Sequence, residues 1–346
     1  MTLTVLSVAY PLAPVTADPV GGAEQVLSQL DRALVARGHR SLVVAPEGSR
    51  VAGELLPVPA VPSAIGEAEV ESAQAAVRAR IGEAVRRRGV DVIHLHGIDF
   101  PSYLPESGPP VLVTLHLPLD WYPPDALRPE RADVDLHPVS TAQAATAPPN
   151  ARLGAPIENG VELSHAPVRK RTYAFALGRI CPEKGFDDAL EATRLAKVPF
   201  LMAGTVFPYA AHEAHFQEAI RPRLSWRRRW IGTVEGERKR YLLGAARVLL
   251  VPSKALETSS LVAMEALAAG TPVVAYPNGA LPEIVEDGHT GFLVEGVEGM
   301  LQGIRRAGEI DPEACRAIAR ERFSAERMVE RYIRRYVELA SRPRHR

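Results

Sequence analysis

The feature that most narrows what this chain can fold into is an alternation that runs twice along it, short apolar segments separated by stretches of helical period. In the first half, residues 3–9 form an apolar run, and residues 24–37 follow with Val26, Leu27, Leu30 and Leu34 on one helical face, closed by Gly38. Further strand-like runs stand at 41–45, 90–95, 111–116 and 134–139, with an Ala-, Glu- and Arg-rich helix over 67–88. Strands separated by helices specify a parallel, doubly wound sheet. The pattern restarts with strands at 173–177, 199–203, 248–251 and 272–275, and helices at 186–194, 237–246 and 261–269. Residues 148–156 and 162–171, rich in Pro, Asn and charge, have the composition of a hinge. The reading is an α/β protein with two Rossmann-like domains, 1–165 and 166–325, and a terminal helix within 326–346 that returns to the first. At 346 residues, each domain can bury its own core.

Composition removes several function classes. The net charge of zero conceals a division: residues 1–168 carry 12 Arg and no Lys against 19 Asp plus Glu, a balance of −7, which leaves +7 for the remainder. The second half is therefore the better home for an anionic ligand, and without a concentrated basic face nucleic acid is not an expected partner. Cys181 and Cys315 are the only cysteines, and two so far apart give neither a disulfide framework nor metal-ligand spacing. No metal and no cofactor is expected. The longest apolar stretches fall far short of the roughly 20 residues that cross a bilayer. The first five residues read as a strand, not as a signal peptide, so the cytoplasm is the expected compartment.

The most informative segment runs from Val251 to Val274. A strand ends at Val251, a loop carries Glu257, and a helix starts near Ser260 with Leu261 and Val262 in its first turn. Gly270 and Pro272 stop that helix. Glu265 lies on the helix about 7 Å along its axis at 1.5 Å per residue. Two carboxylates so spaced can hold two hydroxyl-rich ends of one ligand, while the unpaired amides of the helix start can receive a pyrophosphate between them. An isolated Glu-x7-Glu would more often be two solvated glutamates beside a core helix.

The surrounding residues reverse that balance. The Glu-x7-Glu pair with the run Glu265-Ala266-Leu267-Ala268-Ala269-Gly270-Thr271-Pro272-Val273-Val274 resembles the C-terminal signature of the GT-B glycosyltransferases, specifically the retaining family 4. Upstream, Gly178-Arg179 and Lys184-Gly185 resemble that family's phosphate-binding turn. Downstream, residues 279–285, 287–288 and 290–294 resemble its closing motif. Arg179 and Lys184 follow a strand and a glycine, so both can converge on an anion at the C-terminal edge of the sheet, Arg as a bidentate clamp and Lys as a compact charge. With only five lysines among 41 basic residues, Lys184 is unlike random surface filler. Residues 231–236 resemble the loop beside the nucleobase, with main-chain groups around Val234 reading the base edge. Gly21 and Gly22, between the first strand and helix, resemble the glycine loop. His116, ending a strand, would by resemblance face the transferred sugar across an interdomain cleft.

Other features carry less. His94 and His96 share a strand face as a metal pair would, without an apparent third ligand, which favours a structural or acceptor-side role. Asp133-Val134-Asp135 imitates the metal motif of the other glycosyltransferase fold but reads as a strand edge. Trp121-Tyr122-Pro123-Pro124 reads as a loop anchor before an acceptor lip. Arg227-Arg228-Arg229-Trp230 and the basic tail read as solvated surface ahead of a peripheral contact with anionic lipid.

The resemblance implies transfer of a hexosyl group from a nucleoside diphosphate sugar, a UDP-sugar such as UDP-glucose first, to an acceptor with a free hydroxyl. The anomeric configuration is retained and no metal takes part. Arg179, Lys184 and the helix amides would stabilise the leaving diphosphate. Glu257 would hold sugar hydroxyls, Glu265 the ribose diol and His116 a hydroxyl near the reacting carbon. Ser260 departs from the glycine common at that position and narrows the space beside the sugar. Two rivals stand beside this: a GT-B-fold epimerase of UDP-N-acetylhexosamine, which needs no acceptor, and a non-catalytic sugar-nucleotide-binding protein. Alanine at Glu257 or Lys184 is expected to abolish transfer and leave the fold intact.

Overall fold

The computed structural model describes residues 2–16, 21–60, 66–163 and 168–342. Residues 164–167 of the second hinge-like stretch and 343–346 of the basic tail lie outside the described residues. The chain divides into two compact units, Met1–Asn159 with Glu326–Arg346, and Gly160–Ala325.

The first unit contains β1 (Thr4–Val8), α1 (Gly22–Ala36), β2 (Arg40–Pro46), β3 (Glu54–Val58), α2 (Glu67–Arg87), β4 (Val92–Leu95), β5 (Val111–Leu115), β6 (Val134–Pro138) and α3 (Thr141–Ala145). Its six strands are all parallel, in the order β3-β2-β1-β4-β5-β6. The expected strands are present, and β3 is added at one edge. Its sequence Glu-Leu-Leu-Pro-Val carries a proline, which an edge strand tolerates because one of its sides needs no ladder bond. Asp31, buried on α1, fixes this edge by accepting bonds from Ser41 Oγ (2.7 Å) and the N–H groups of Ala52 (2.6 Å) and Gly53 (3.1 Å). Residues 148–156, the first hinge-like stretch, fall within the first unit. They are laid along β6, where the Gly154 N–H donates to Leu136 O (2.8 Å) and the Ile157 N–H to Pro138 O (3.0 Å), so backbone bonding holds the segment in this unit.

The second unit contains β7 (Ala174–Leu177), α4 (Phe186–Ala196), β8 (Phe200–Ala203), α5 (Ala210–His215), β9 (Arg228–Trp230), α6 (Gly236–Ala245), β10 (Val248–Val251), α7 (Leu261–Ala268), β11 (Val273–Ala275), α8 (Leu281–Ile284), β12 (Gly291–Leu293), α9 (Gly296–Arg306) and α10 (Pro312–Arg322). Its strands are parallel in the order β12-β11-β10-β7-β8-β9. Counted from the first strand of each unit, the two orders are the same. In each sheet the chain first builds outward on one side of the first strand and then restarts on the other. The switch falls between β1 and β4 in the first unit and between β7 and β10 in the second, where ligands of open α/β sheets bind at the strand C-termini.

The last helix, α11 (Ala325–Ala340), returns to the first unit, as expected. Phe323 and Ser324 separate it from α10. Met328, Val329, Tyr332, Tyr336 and Leu339 recur at helical spacing and pack on Leu3, Val5, Val26, Leu30, Val92 and Leu112. Polar bonds fix the register. The Tyr336 hydroxyl meets His94 Nδ1 at 2.7 Å, and the Tyr332 hydroxyl meets Thr114 Oγ1 at 2.9 Å. Arg335 and Arg342 pair with Asp135, and Arg331 pairs with Glu158.

Among the described residues, no helix is long and apolar enough to cross a membrane.

Candidate active site

In the second unit, the residues singled out in sequence gather at the C-terminal ends of the strands. Arg179, exposed, follows β7, and Lys184, partly buried, lies in the short turn after it (Pro182–Lys184), which ends at Gly185. Gly185 has φ of +63°, and a Cβ there would lie 2.1 Å from Pro252 O, so a left-handed turn and a close backbone approach both require glycine. The approach is cemented by the Lys254 N–H donating to Glu183 O (2.7 Å). It places the turn against the loop after β10, across the switch point. Lys184 Nζ thereby donates to Glu257 Oε1 at 2.5 Å, joining residues 73 positions apart.

Glu257 is itself clamped from behind. Its carbonyl accepts from the Ala280 N–H (2.7 Å), and Gly279, with φ of +62°, lies so close that a Cβ would come within 2.2 Å of that oxygen. The Gly279-Ala280 portion of the closing motif thus sets the position of a carboxylate 22 residues upstream. The Asn278 side-chain amide donates to Ser253 O (2.7 Å) and holds the same loop. Helix α7 starts at Leu261 and Val262, and Ser260 at its N-cap makes no side-chain bond to the first turn. First-turn N–H groups have no acceptor within their own helix, and they carry the positive end of its dipole.

Glu265 lies on α7 and accepts from Lys239 Nζ of α6 at 3.0 Å. Val234, buried, lies in the loop after β9. In that region the Thr205 and Thr233 hydroxyls meet at 2.9 Å and the Gly204 N–H donates to Gly232 O (2.9 Å). Lys239 and Thr205 are residues that the sequence reading missed, while Thr233 and Gly279 lay inside motifs it named without a role of their own. Lys239 could have been found by the argument applied to Lys184, since three of the five lysines, Lys184, Lys239 and Lys254, surround this site.

The ion pairs alter one expectation. The Lys184 and Glu257 side chains are only 25% and 10% exposed. Removing either leaves its partner without a counter-charge, at a cost of about 1–3 kcal/mol once partial solvent screening is allowed for. Alanine at either position therefore perturbs the fold as well as the chemistry, and Glu257→Gln is the cleaner probe.

The first unit holds the remaining candidates. Gly21 is the N-cap of α1, where a Cβ would meet the Glu24 carboxylate at 1.9 Å; Gly22 opens the helix. Burial raises the pKa of Glu24. His116 follows β5, and its Nε2 shares a hydrogen bond with His96 Nδ1 at 3.0 Å. One facing nitrogen must donate and the other accept, so the contact opposes double protonation. Burial pushes His116 down to about 3, and burial followed by the neighbouring imidazoles holds His94 and His96 well below their ordinary value. His94 uses both ring nitrogens, on Tyr336 and Thr114, which makes it structural. Asp133 is bound by Arg131 at 2.5 Å and Asp135 by Arg335, at and just inside the start of β6. Tyr122 is buried and anchors its loop, whereas Trp121 is exposed. Arg228–Trp230 is the edge strand β9.

Comparison with known proteins bears on the fold and the family. The model of the family "Glycosyl transferases group 1" matches residues 164–322, and that of "Glycosyltransferase Family 4" matches residues 20–145. The chain belongs to the family 4 glycosyltransferases of the GT-B fold. It is 27% identical to the phosphatidyl-myo-inositol mannosyltransferase of Mycobacterium tuberculosis, over 91% of this chain and 89% of that protein. It is 60% identical to the D-inositol 3-phosphate glycosyltransferase of Streptomyces scabiei over 52 residues, 15% of this chain and 11% of the relative's length. The fold is also that of Anabaena HepE in its complex with UDP-glucose, with a TM-score of 0.74 at 19% identity over 97% of this chain and 100% of that one.

Proposed function

We propose that this glycosyltransferase moves a hexosyl group from a nucleoside diphosphate sugar, a UDP-sugar first, to an acceptor hydroxyl with retention of configuration and without a metal in the transfer step. The observation that carries the reading is the meeting of Lys184 and Glu257 at the switch point of the second sheet, with Glu257 in the loop that leads into α7. Breaking the anomeric bond builds negative charge on the leaving diphosphate and positive charge on the sugar. Arg179, Lys184 and the α7 amides answer the first charge from fixed positions, so no reorganisation is needed as it develops. Glu257, held by Lys184 and by the Gly279-Ala280 backbone, keeps acceptor capacity for sugar hydroxyls. Glu265 takes the ribose diol, Val234 and its neighbours take the base, and Ser260 narrows the space beside the sugar.

His116, kept neutral by burial, is assigned to a hydroxyl of the transferred sugar, and Gly21 and Gly22 to close backbone approach. A leaving-group oxygen takes the acceptor proton on the same face, so neither glutamate has to act as a covalent nucleophile. Holding both reactants in register supplies the rest of the acceleration. Because one relative is named as a mannosyltransferase and HepE was solved with UDP-glucose, glucosyl and mannosyl donors head the donor screen, and inositol-bearing acceptors head the acceptor screen.

Calorimetry with UDP-, GDP- and ADP-sugars tests the donor site. One nucleotide class is expected to bind the wild type and to bind Lys184→Ala far more weakly. Equal binding to both proteins overturns the assignment. The anomeric configuration of the product, read by NMR, tests retention.

A further inference from the structure

At the turn that carries Lys184 lies a cluster that the transfer reaction does not use. Atoms of Cys181, Glu183 and His212 able to ligate a metal lie within 4.8 Å of one another. Cys181 is the buried residue just before the turn, Glu183 is exposed within it, and His212 is half-buried on α5. Two cysteines distant in sequence gave no metal-ligand spacing, and the fold supplies the partners instead by bringing α5 against the turn. A second observation points the same way. His212 Nδ1 is buried and has no hydrogen-bond partner, an arrangement that costs free energy unless something occupies the nitrogen.

We propose that Cys181, Glu183 and His212 form a binding site for a divalent cation of the zinc class, with water completing the coordination. The ligand set chooses the class. One sulfur, one imidazole nitrogen and one carboxylate oxygen suit a borderline-soft ion that accepts tetrahedral coordination, whereas calcium and magnesium prefer oxygen ligands throughout. Charge also balances, since a thiolate and a carboxylate offset a 2+ ion with the imidazole neutral. Binding requires the Cys181 proton to leave to solvent, so uptake releases one proton and weakens as pH falls. Burial, and next the bond to Glu183, raise the thiol above its ordinary value, and the positive field of a bound ion would act in the opposite direction. The exposed Glu183 leaves a path for the ion and its water. Occupancy would tie α5 to the turn before Lys184 and restrict the motion of that turn. The ion lies beside the donor site and is given no part in the chemistry, and the proposal does not depend on which donor binds.

The test uses the full chain, untagged and stripped with a chelator, titrated with cobalt(II) as an optical probe in the absence of nucleotide. A thiolate-to-cobalt charge-transfer band with strong tetrahedral visible bands is expected to saturate at equimolar cobalt and to disappear on adding zinc. Cys315→Ser should keep these bands and Cys181→Ser should lose the charge-transfer band. His212→Ala and Glu183→Gln should each weaken binding by on the order of 10- to 100-fold. Glu183 is exposed, so its variant tests the site even if Cys181→Ser fails to fold. Wild-type protein without the charge-transfer band, Cys181→Ser retaining it, or Glu183→Gln and His212→Ala binding cobalt as tightly as the wild type would each overturn the site. Nucleotide calorimetry on the stripped protein reads the donor site separately, so failure of one reading is distinguishable from failure of the other.

Discussion

The two units share one strand order and differ in what they hold at the switch point. In the second unit, charges face one another there: Lys184 with Glu257, and Lys239 with Glu265. In the first, the residues near the corresponding strand ends are His96 and His116, which burial keeps uncharged. The same topology thus offers a place for ligands twice, and side-chain choice makes one place ionic and the other neutral.

The comparison breaks most easily at the ionic end. Lys184→Ala is expected to lower kcat by about 100- to 1,000-fold, the usual cost of losing one donor to a developing anion. Glu257→Gln, which keeps an oxygen for Lys184 Nζ to donate to but no counter-charge, should also reduce turnover strongly and should lower the melting temperature less than Glu257→Ala. Near-normal turnover in either variant would mean that the ionic cluster is structural.

Acid should separate the units next. A histidine with a depressed folded pKa is neutral when folded, but takes up a proton in the unfolded chain below its ordinary 6.5. Its contribution to stability is complete above that value and is lost as pH falls toward the folded value, about 3 for His116. His94, His96, His116 and His137 all act in this direction in the first unit, whereas His215 does so in the second. Hydrogen exchange at pH 7.5 and pH 5 should show protection falling more in the first unit, and an equal fall would refute the contrast.

Smaller effects sharpen the picture. Gly279→Ala places a Cβ against the Glu257 backbone at a left-handed φ and should cost about 1–3 kcal/mol in urea unfolding, with transfer reduced through a displaced Glu257. Tyr336→Phe deprives His94 Nδ1 of its partner and should cost about 1–3 kcal/mol. His96→Gln should lower kcat by about 10-fold at nearly constant KM if His116 acts only in the transition state, and a change in KM alone would argue against that.

Much of this was legible in the sequence for a physical reason. Central strands are buried on both faces, so β7 and β10 read as continuous apolar runs, and β1 and β4 as apolar runs broken only by Thr4, Ser7 and His94. The strands that periodicity missed, β3, β9 and β12, all lie at sheet edges. There, one side needs no partner, and Pro57, Arg228, Arg229 and Gly291 are tolerated. Within the donor site, the segments near Arg179 and Glu257 stood out by motif. The bond between Lys184 and Glu257, the Gly279 clamp and the His96–His116 contact did not, because each joins strands that the linear sequence leaves far apart. The meeting of Cys181 with His212 was hidden in the same way.

Helix α11 completes the first unit from the far end of the chain. During synthesis, the first unit therefore waits for its last wall until the whole second unit has left the ribosome, with the apolar face formed by Leu3, Val26 and Val92 uncovered in the interval. A stop anywhere before Glu326 would strand that face permanently, so a truncated chain should aggregate and not survive as a working half.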